Sequence, residues 1–126
     1  MTPLTIFDLH EITRVPKPWG YELIFGKTER YVGKILHVDA GESLSLQYHE
    51  MKDETLYVMR GKVKLTLQSG SERREVTMDN GDAFHIPPRL IHRIEALEDS
   101  DIVEVSTPEL EDVVRLEDRY GRISGR

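Results

Sequence analysis

Gln47, His49 and Glu54 fall within eight residues of one another in the stretch Gly41 to Gly61, GESLSLQYHEMKDETLYVMRG. An amide oxygen, an imidazole nitrogen and a carboxylate so close together read first as a metal-ligand set. Gln47 and His49 are two apart, so on a strand they point to one face and can share one small ion. A turn over Glu50 to Asp53 would return Glu54 on an antiparallel partner, and such a hairpin would bring the three donors to one point. The fourth donor is expected from a later strand. His92 is the best candidate, because it follows Gly81-Asp82, the run Ala83 to Ile86 and the rigid turn Pro87-Pro88. Two oxygens and two nitrogens suit one borderline divalent ion, Zn first, with Mn, Fe, Co or Ni as alternatives.

The elements that must position these residues are short strands. Runs with strand character cover Tyr21 to Phe25, Tyr31 to Val38, Leu44 to His49, Thr55 to Arg60 and Lys62 to Gln68, the last alternating Val63, Leu65 and Leu67 with polar neighbours. Further runs cover Arg74 to Met78, Ala83 to Ile86, His92 to Ala96 and Ile102 to Ser106. Turn signals separate them at Gly26, Ala40-Gly41, Gly61, Ser69-Gly70 and Asn80-Gly81. Many short strands with no room for crossover helices predict an all-β sandwich or barrel. At 126 residues the chain reads as a single domain, 1–126. Residues 1–20 read as an irregular N-terminal arm, since Pro3, Pro16 and Pro18 exclude a long helix. Residues 108–126 read as a C-terminal tail that opens with a short helical turn, capped by Thr107 and begun by Pro108, although Val113-Val114 would serve a strand equally well.

Composition narrows the function classes. A net charge of -6 argues against nucleic acid and membrane surfaces as partners, yet leaves room for a phosphorylated ligand that needs only local cations. There is no Cys, so disulfides and thiolate metal sites are excluded, and a cytoplasmic setting is expected. The amino terminus lacks a basic start and a long apolar core, and no stretch approaches membrane-span length. Leu44, Leu46, Leu65 and Leu67, or their neighbours, place more apolar groups on the strands than one small lumen takes, so a homodimer is expected.

The spacing of the ligand candidates resembles a known family. Gly41, Gln47, His49, Glu54 and Gly61 are spaced as in the first cupin motif, with Gln47 in place of its first His. Gly81, Pro87 and His92 resemble the second, with Arg89 where the family usually has Gly. Lys17-Pro18-Trp19-Gly20-Tyr21-Glu22, the strand holding Lys34, Leu44 to His49 and the closing run Glu111 to Arg122 resemble the isomerase domain of type II phosphomannose isomerases over roughly residues 14 to 122. The resemblance implies a cupin double-stranded β-helix, a jelly-roll barrel with its metal inside. It also implies a metal-dependent aldose-ketose isomerase that interconverts mannose 6-phosphate and fructose 6-phosphate. In that family the domain is often fused behind a mannose-1-phosphate guanylyltransferase domain; with none ahead of it here, that activity is not expected of this sequence.

Such an isomerase needs a proton carrier and a phosphate site. Lys34 shares the face of Leu36 and Val38, so an inward lysine is one expected catalytic residue; His85 is a second candidate whose face the pattern leaves open. His10 and His37 read as ordinary hydrogen-bonding residues. Arg115, Arg119 and Arg122 form a cationic group in the tail, with Tyr120-Gly121 between the last two. The resemblance favours these arginines for substrate phosphate over mutual pairing on the surface, with Arg122 catalytic and Arg115, Arg119 and Tyr120 substrate-binding. Two other functions fit the same residues: an isomerase or epimerase of another phosphorylated sugar, or a non-catalytic sugar-binding or sugar-phosphate-binding cupin.

Overall fold

Period-two alternation of buried and exposed side chains runs through the middle of the chain, and in a computed structural model each such run is a strand. The structure describes residues 3–6, 8–9 and 11–123, so His10 lies outside the described residues. The strands are β1 (Thr13–Lys17), β2 (Gly20–Lys27), β3 (Val32–Val38), β4 (Leu46–Tyr48), β5 (Glu54–Arg60), β6 (Lys62–Ser69), β7 (Glu72–Asp79), β8 (Ala83–Ile86), β9 (Ile91–Ala96), β10 (Ser100–Ser106) and β11 (Val114–Glu117). They form a six-stranded sheet in the order β1-β2-β3-β10-β5-β8 and a five-stranded sheet in the order β11-β4-β9-β6-β7, both antiparallel. This is the expected all-β jelly roll. Among the described residues, no helix is long and apolar enough to cross a membrane.

Four expectations are corrected. The arm is not irregular throughout, because Thr13–Lys17 pairs with β2 as the edge strand of its sheet, where Pro16 deprives no outer neighbour of a hydrogen bond. The helical turn after Thr107 does not form. Thr107 Oγ1 accepts from the Asp53 amide at 3.0 Å, and the Thr107 amide donates to the Asp53 carbonyl at 3.0 Å, which ties the end of β10 to the start of β5. Tight turns carry the chain to β11, which pairs with β4, so Val114 serves a strand. The predicted hairpin from Gln47 to Glu54 is absent as well. β4 and β5 lie in different sheets, and Gln47 pairs instead with His92. Finally, Leu46 and Leu65 are buried in the core and Leu44 and Leu67 pack against it, so none of them supplies the outer apolar surface first assigned to them.

Between the sheets lies a core of Trp19, Leu36, Val38, Leu56, Val58, Leu65, Ile86, Ile94 and Ile102, with smaller residues between them. Gly61 closes the β5–β6 turn at φ 105°, where a Cβ would collide with Ser100 Oγ and the Asp99 carbonyl. Beyond this core the inward positions turn polar, with Lys34, His49, Lys52, Glu54, His92 and Glu104 all buried.

Candidate functional site

Three donors converge across the lumen from opposite sheets. His49 follows β4 and His92 lies on β9 of the five-stranded sheet, while Glu54 opens β5 of the other. Their ligand atoms all lie within 4.8 Å of one another, with His49 Nε2 3.4 Å from Glu54 Oε2 and His92 Nε2 3.5 Å from Glu54 Oε1. Gln47 stands directly across from His92, and so on the same face; its Oε1 accepts from Ser45 Oγ at 2.6 Å.

The ring orientations suit a cation between these groups. His49 Nδ1 donates to the Asp112 carbonyl at 2.6 Å and His92 Nδ1 donates to the Leu90 carbonyl at 2.8 Å. A carbonyl only accepts, so both Nδ1 atoms carry the proton and both Nε2 atoms face the Glu54 carboxylate, that of the neutral His49 with a lone pair. His49 Nε2 and Glu54 Oε2 are buried without a hydrogen-bond partner. Lone pairs facing a carboxylate in a dry space are unfavourable until a cation sits among them. Burial, against the opposing charge of Glu54, holds the His49 imidazole below its ordinary pKa and therefore neutral, as a metal ligand must be. Burial works against ionisation of Glu54, but the His92 ring and the Lys52 ammonium outweigh it and hold its carboxyl below the usual range. The residues therefore fit a metal ion.

A chain of buried charges leads away from this cluster. Lys52 Nζ lies 3.1 Å from Glu54 Oε2, in a poorly aligned ion pair, and donates to Glu104 Oε2 at 3.0 Å. Burial would lower the Lys52 pKa, but the charges of Glu104 and Glu54 win and raise it above the ordinary value. Glu104 Oε2 is also 3.5 Å from Lys34 Nζ, which donates to Glu22 Oε2 at 3.0 Å. The loop that presents Lys52 is closed by Asp112, whose carboxylate accepts from the amides of Glu50, Met51 and Lys52 at 2.7–3.0 Å. Those bonds overcome the cost of burial and hold the Asp112 carboxyl below the usual range.

All of this opens on one pocket of about 160 Å³, lined by Gln47, His49, Lys52, Lys34, Glu104 and Glu22 and also by Lys17, Arg115 and Arg122. The Arg115 Nε is buried and unpartnered. Burial first, then the neighbouring Arg122, lowers the Arg115 pKa; burial also lowers that of Lys17, with Lys34, Arg122 and Arg115 adding to it against Glu22. Cations pressed together in this way are relieved by an anion. Arg122 is oriented by Asp118, which its Nε and Nη2 both reach at 3.0 Å.

The expected residues divide. Gln47, His49, Lys34, Arg115 and Arg122 line the pocket, with Glu54 and His92 behind it. Arg119 and Tyr120 are committed elsewhere: Arg119 donates to the Gly41 carbonyl at 2.6 Å and to Glu95 at 3.0 Å, and Tyr120 Oη donates to Glu42 at 2.6 Å. Both pin the tail to the β3–β4 turn instead of lining the pocket. His85 points outward to Asp53, and His37 sits between Asp101 and Asp39. Sequence reasoning missed Lys17, Lys52 and Glu104. The alternation Ile102, Glu104, Ser106 was a usable signal for Glu104; Lys52 lay in the stretch Glu50 to Asp53 that read only as a turn.

The cupin domain family matches residues 34–107, more than half of the chain. The mannose-1-phosphate guanylyltransferase ManC of Salmonella typhimurium is 33% identical over 119 residues, covering 90% of this chain and 24% of that protein. A mannose-1-phosphate guanylyltransferase of Escherichia coli is 32% identical over 120 residues with the same shares. The chain thus spans about a quarter of the length of the curated relatives it matches, as the fusion common in the resembled family leads one to expect. Among solved structures, KdgF from Halomonas sp. superposes with a TM-score of 0.65 at 26% identity, over 82% of this chain and 92% of that one.

Proposed function

Because the chain belongs to the cupin domain family, and because its two charged clusters open on one pocket, we propose that it is a metal-dependent isomerase of a small phosphorylated sugar, interconverting mannose 6-phosphate and fructose 6-phosphate. The observation that carries this reading is the shared pocket, lined both by metal-type donors and by a cluster of cations in which the buried Arg115 Nε has no partner. His49, Glu54, His92 and Gln47 would hold a divalent ion, Zn before Mn, Fe, Co or Ni, which when bound supplies Lewis-acid polarisation of the sugar carbonyl.

The chain's own residues do the rest. Arg115, Arg122 and Lys17 take the phosphate and so aim the other end of the sugar inward. Arg119 and Tyr120 act from a distance by holding the tail that carries Arg122. Glu104, between two ammonium groups, takes the proton from C2 and returns it to C1. Lys34 and Lys52 donate to the sugar oxygens on which negative charge develops, and Lys34 relays the hydroxyl proton between them. A second reading, a sugar-phosphate-binding module, is favoured by one observation: the carboxylates of Glu54, Glu104 and Glu22 each already face an ammonium group.

The test is a coupled assay of fructose 6-phosphate formation on protein reconstituted with each ion in turn. Turnover is expected, and Glu104→Gln should reduce kcat by roughly a hundredfold to ten-thousandfold with metal stoichiometry unchanged. No turnover with any of the ions, while mannose 6-phosphate still binds, would establish the binding module instead.

A further inference from the structure

The segment from Pro108 to Val113 carries the chain from β10 to β11 with turn bonds of its own, from Leu110 to Pro108, Asp112 to Glu109 and Val113 to Glu111. Those bonds are local and do not fix where the segment sits. Asp112 supplies the attachment. Its carbonyl accepts from His49 Nδ1 at 2.6 Å, and its carboxylate accepts from the Glu50 amide at Oδ1 and from the Met51 and Lys52 amides at Oδ2.

The two ends of this one residue reach two different parts of the pocket. The carbonyl keeps the His49 Nδ1 protonated and turned toward it, which leaves Nε2 for the space beside Glu54. The carboxylate draws three successive amides to one point, which curls the crossing between the sheets and turns Lys52 inward. Only 4% of Lys52 is exposed, and its ammonium lies between Glu54 and Glu104, whereas Met51 beside it is 69% exposed. Water can replace the carboxylate on the exposed Glu50 and Met51 amides, so these bonds fix a conformation more than they add stability. They also keep the Asp112 carbonyl against His49, so loss of the side chain loosens both ends. The phosphate side has its own supports: Arg115 pairs with Gln47 across β11 and β4, and Asp118 grips Arg122.

We propose that Asp112 is a positioning residue of the pocket, setting a metal ligand through its carbonyl and a charge-stabilising ammonium through its carboxylate. It acts through His49 and Lys52 and lines no part of the pocket itself. Its effect on turnover rests on the isomerase reading; its effect on metal affinity does not.

Asp112→Ala and Asp112→Asn in the full chain test it. Zinc affinity is read by competition with a chromophoric chelator, kcat and KM by the coupled assay at saturating zinc, and the loop by amide exchange at Met51 and Lys52. Asp112→Ala should weaken zinc binding about 10–100-fold and lower kcat about tenfold, with KM for mannose 6-phosphate within about twofold of the wild type and both amides exchanging freely. Asp112→Asn keeps an oxygen for the Met51 and Lys52 amides and should fall in between. Should circular dichroism show Asp112→Ala unfolded, Asp112→Asn carries the same comparison. A merely structural tether would unseat the tail as a whole and raise KM with kcat little changed, and that split overturns the proposal. Zinc affinity unchanged in the folded variant overturns it equally. A wild type without turnover would overturn the isomerase reading alone, since weakened zinc binding and freed amides in the variant would still establish the positioning role.

Discussion

The barrel interior holds two environments built by the same strands. On β3, Lys34 is followed two residues on by Leu36; on β5, Glu54 by Leu56; on β9, His92 by Ile94; and on β10, Ile102 is followed by Glu104. One step of two residues, about 7 Å along a strand, therefore separates a close-packed apolar core from a network of buried charges. The apolar half stabilises the fold by burial, roughly 1.5–3 kcal/mol for each large side chain. In the polar half, desolvation offsets most of what the ion pairs contribute, so it adds little net stability. Its retention in the centre of a small domain points to function, and the apolar half is what makes it tolerable.

The contrast can be broken first at Lys52. Replacing it by Met leaves Glu54 and Glu104 buried with fewer cations, so the metal-free protein should lose about 3–5 kcal/mol in denaturant unfolding. An unchanged midpoint would mean that water reaches this half and that the two environments are not distinct. In the other half, Leu56→Ala should cost about 2–5 kcal/mol through cavity formation, with the stoichiometry of bound metal untouched. Metal lost along with stability there would show the two halves to be one cooperative unit.

Added metal sharpens the comparison from the opposite direction. At about a hundredfold excess over its dissociation constant, an ion that binds only the folded state stabilises by about 2.7 kcal/mol. That rise should be seen in Leu56→Ala and be absent in His49→Ala; retained stoichiometric metal in the latter would exclude the ligand set. The smallest effect is at Arg89, a non-glycine residue at φ 72° whose amide donates to the His49 carbonyl at 2.6 Å. Arg89→Gly should relieve left-handed strain of about 1 kcal/mol, seen as a small rise in melting temperature with metal binding preserved. It also gives a physical reason for the glycine usual in the second cupin motif.

Much of this was legible in the residues. The strand runs around Val32–Val38 and Lys62–Ser69 follow from alternation, and Ala83–Ile86 was bounded as observed, because period two reports faces directly. Lys34 was placed inward by its parity with Leu36 and Val38, and it is buried. The arm strand was hidden by Pro16, which argues against a strand unless the strand is known to be an edge. The helical turn at Pro108 was a fair inference from a capping pattern, but Thr107 is spent on Asp53. The placing of Arg119 and Arg122 on different faces of the tail could not be read from their spacing, because each is fixed by a partner, Glu95 or Asp118, in an irregular segment.

By itself, then, the sequence determined that this chain is an all-β sandwich or barrel and which donor types it can offer, because both depend on local alternation, turn chemistry and composition; the jelly roll was implied by the family resemblance alone. Only the tertiary structure decided how those donors meet. The expected hairpin would have joined Gln47, His49 and Glu54 within one sheet, whereas the chain crosses from one sheet to the other between His49 and Glu54 and closes the cluster with His92. Nor could spacing reveal that Asp112, about sixty residues on, would fold the loop of Lys52 inward. Parity tells which face a side chain takes, but the neighbour across that face depends on strand order, which long-range packing sets.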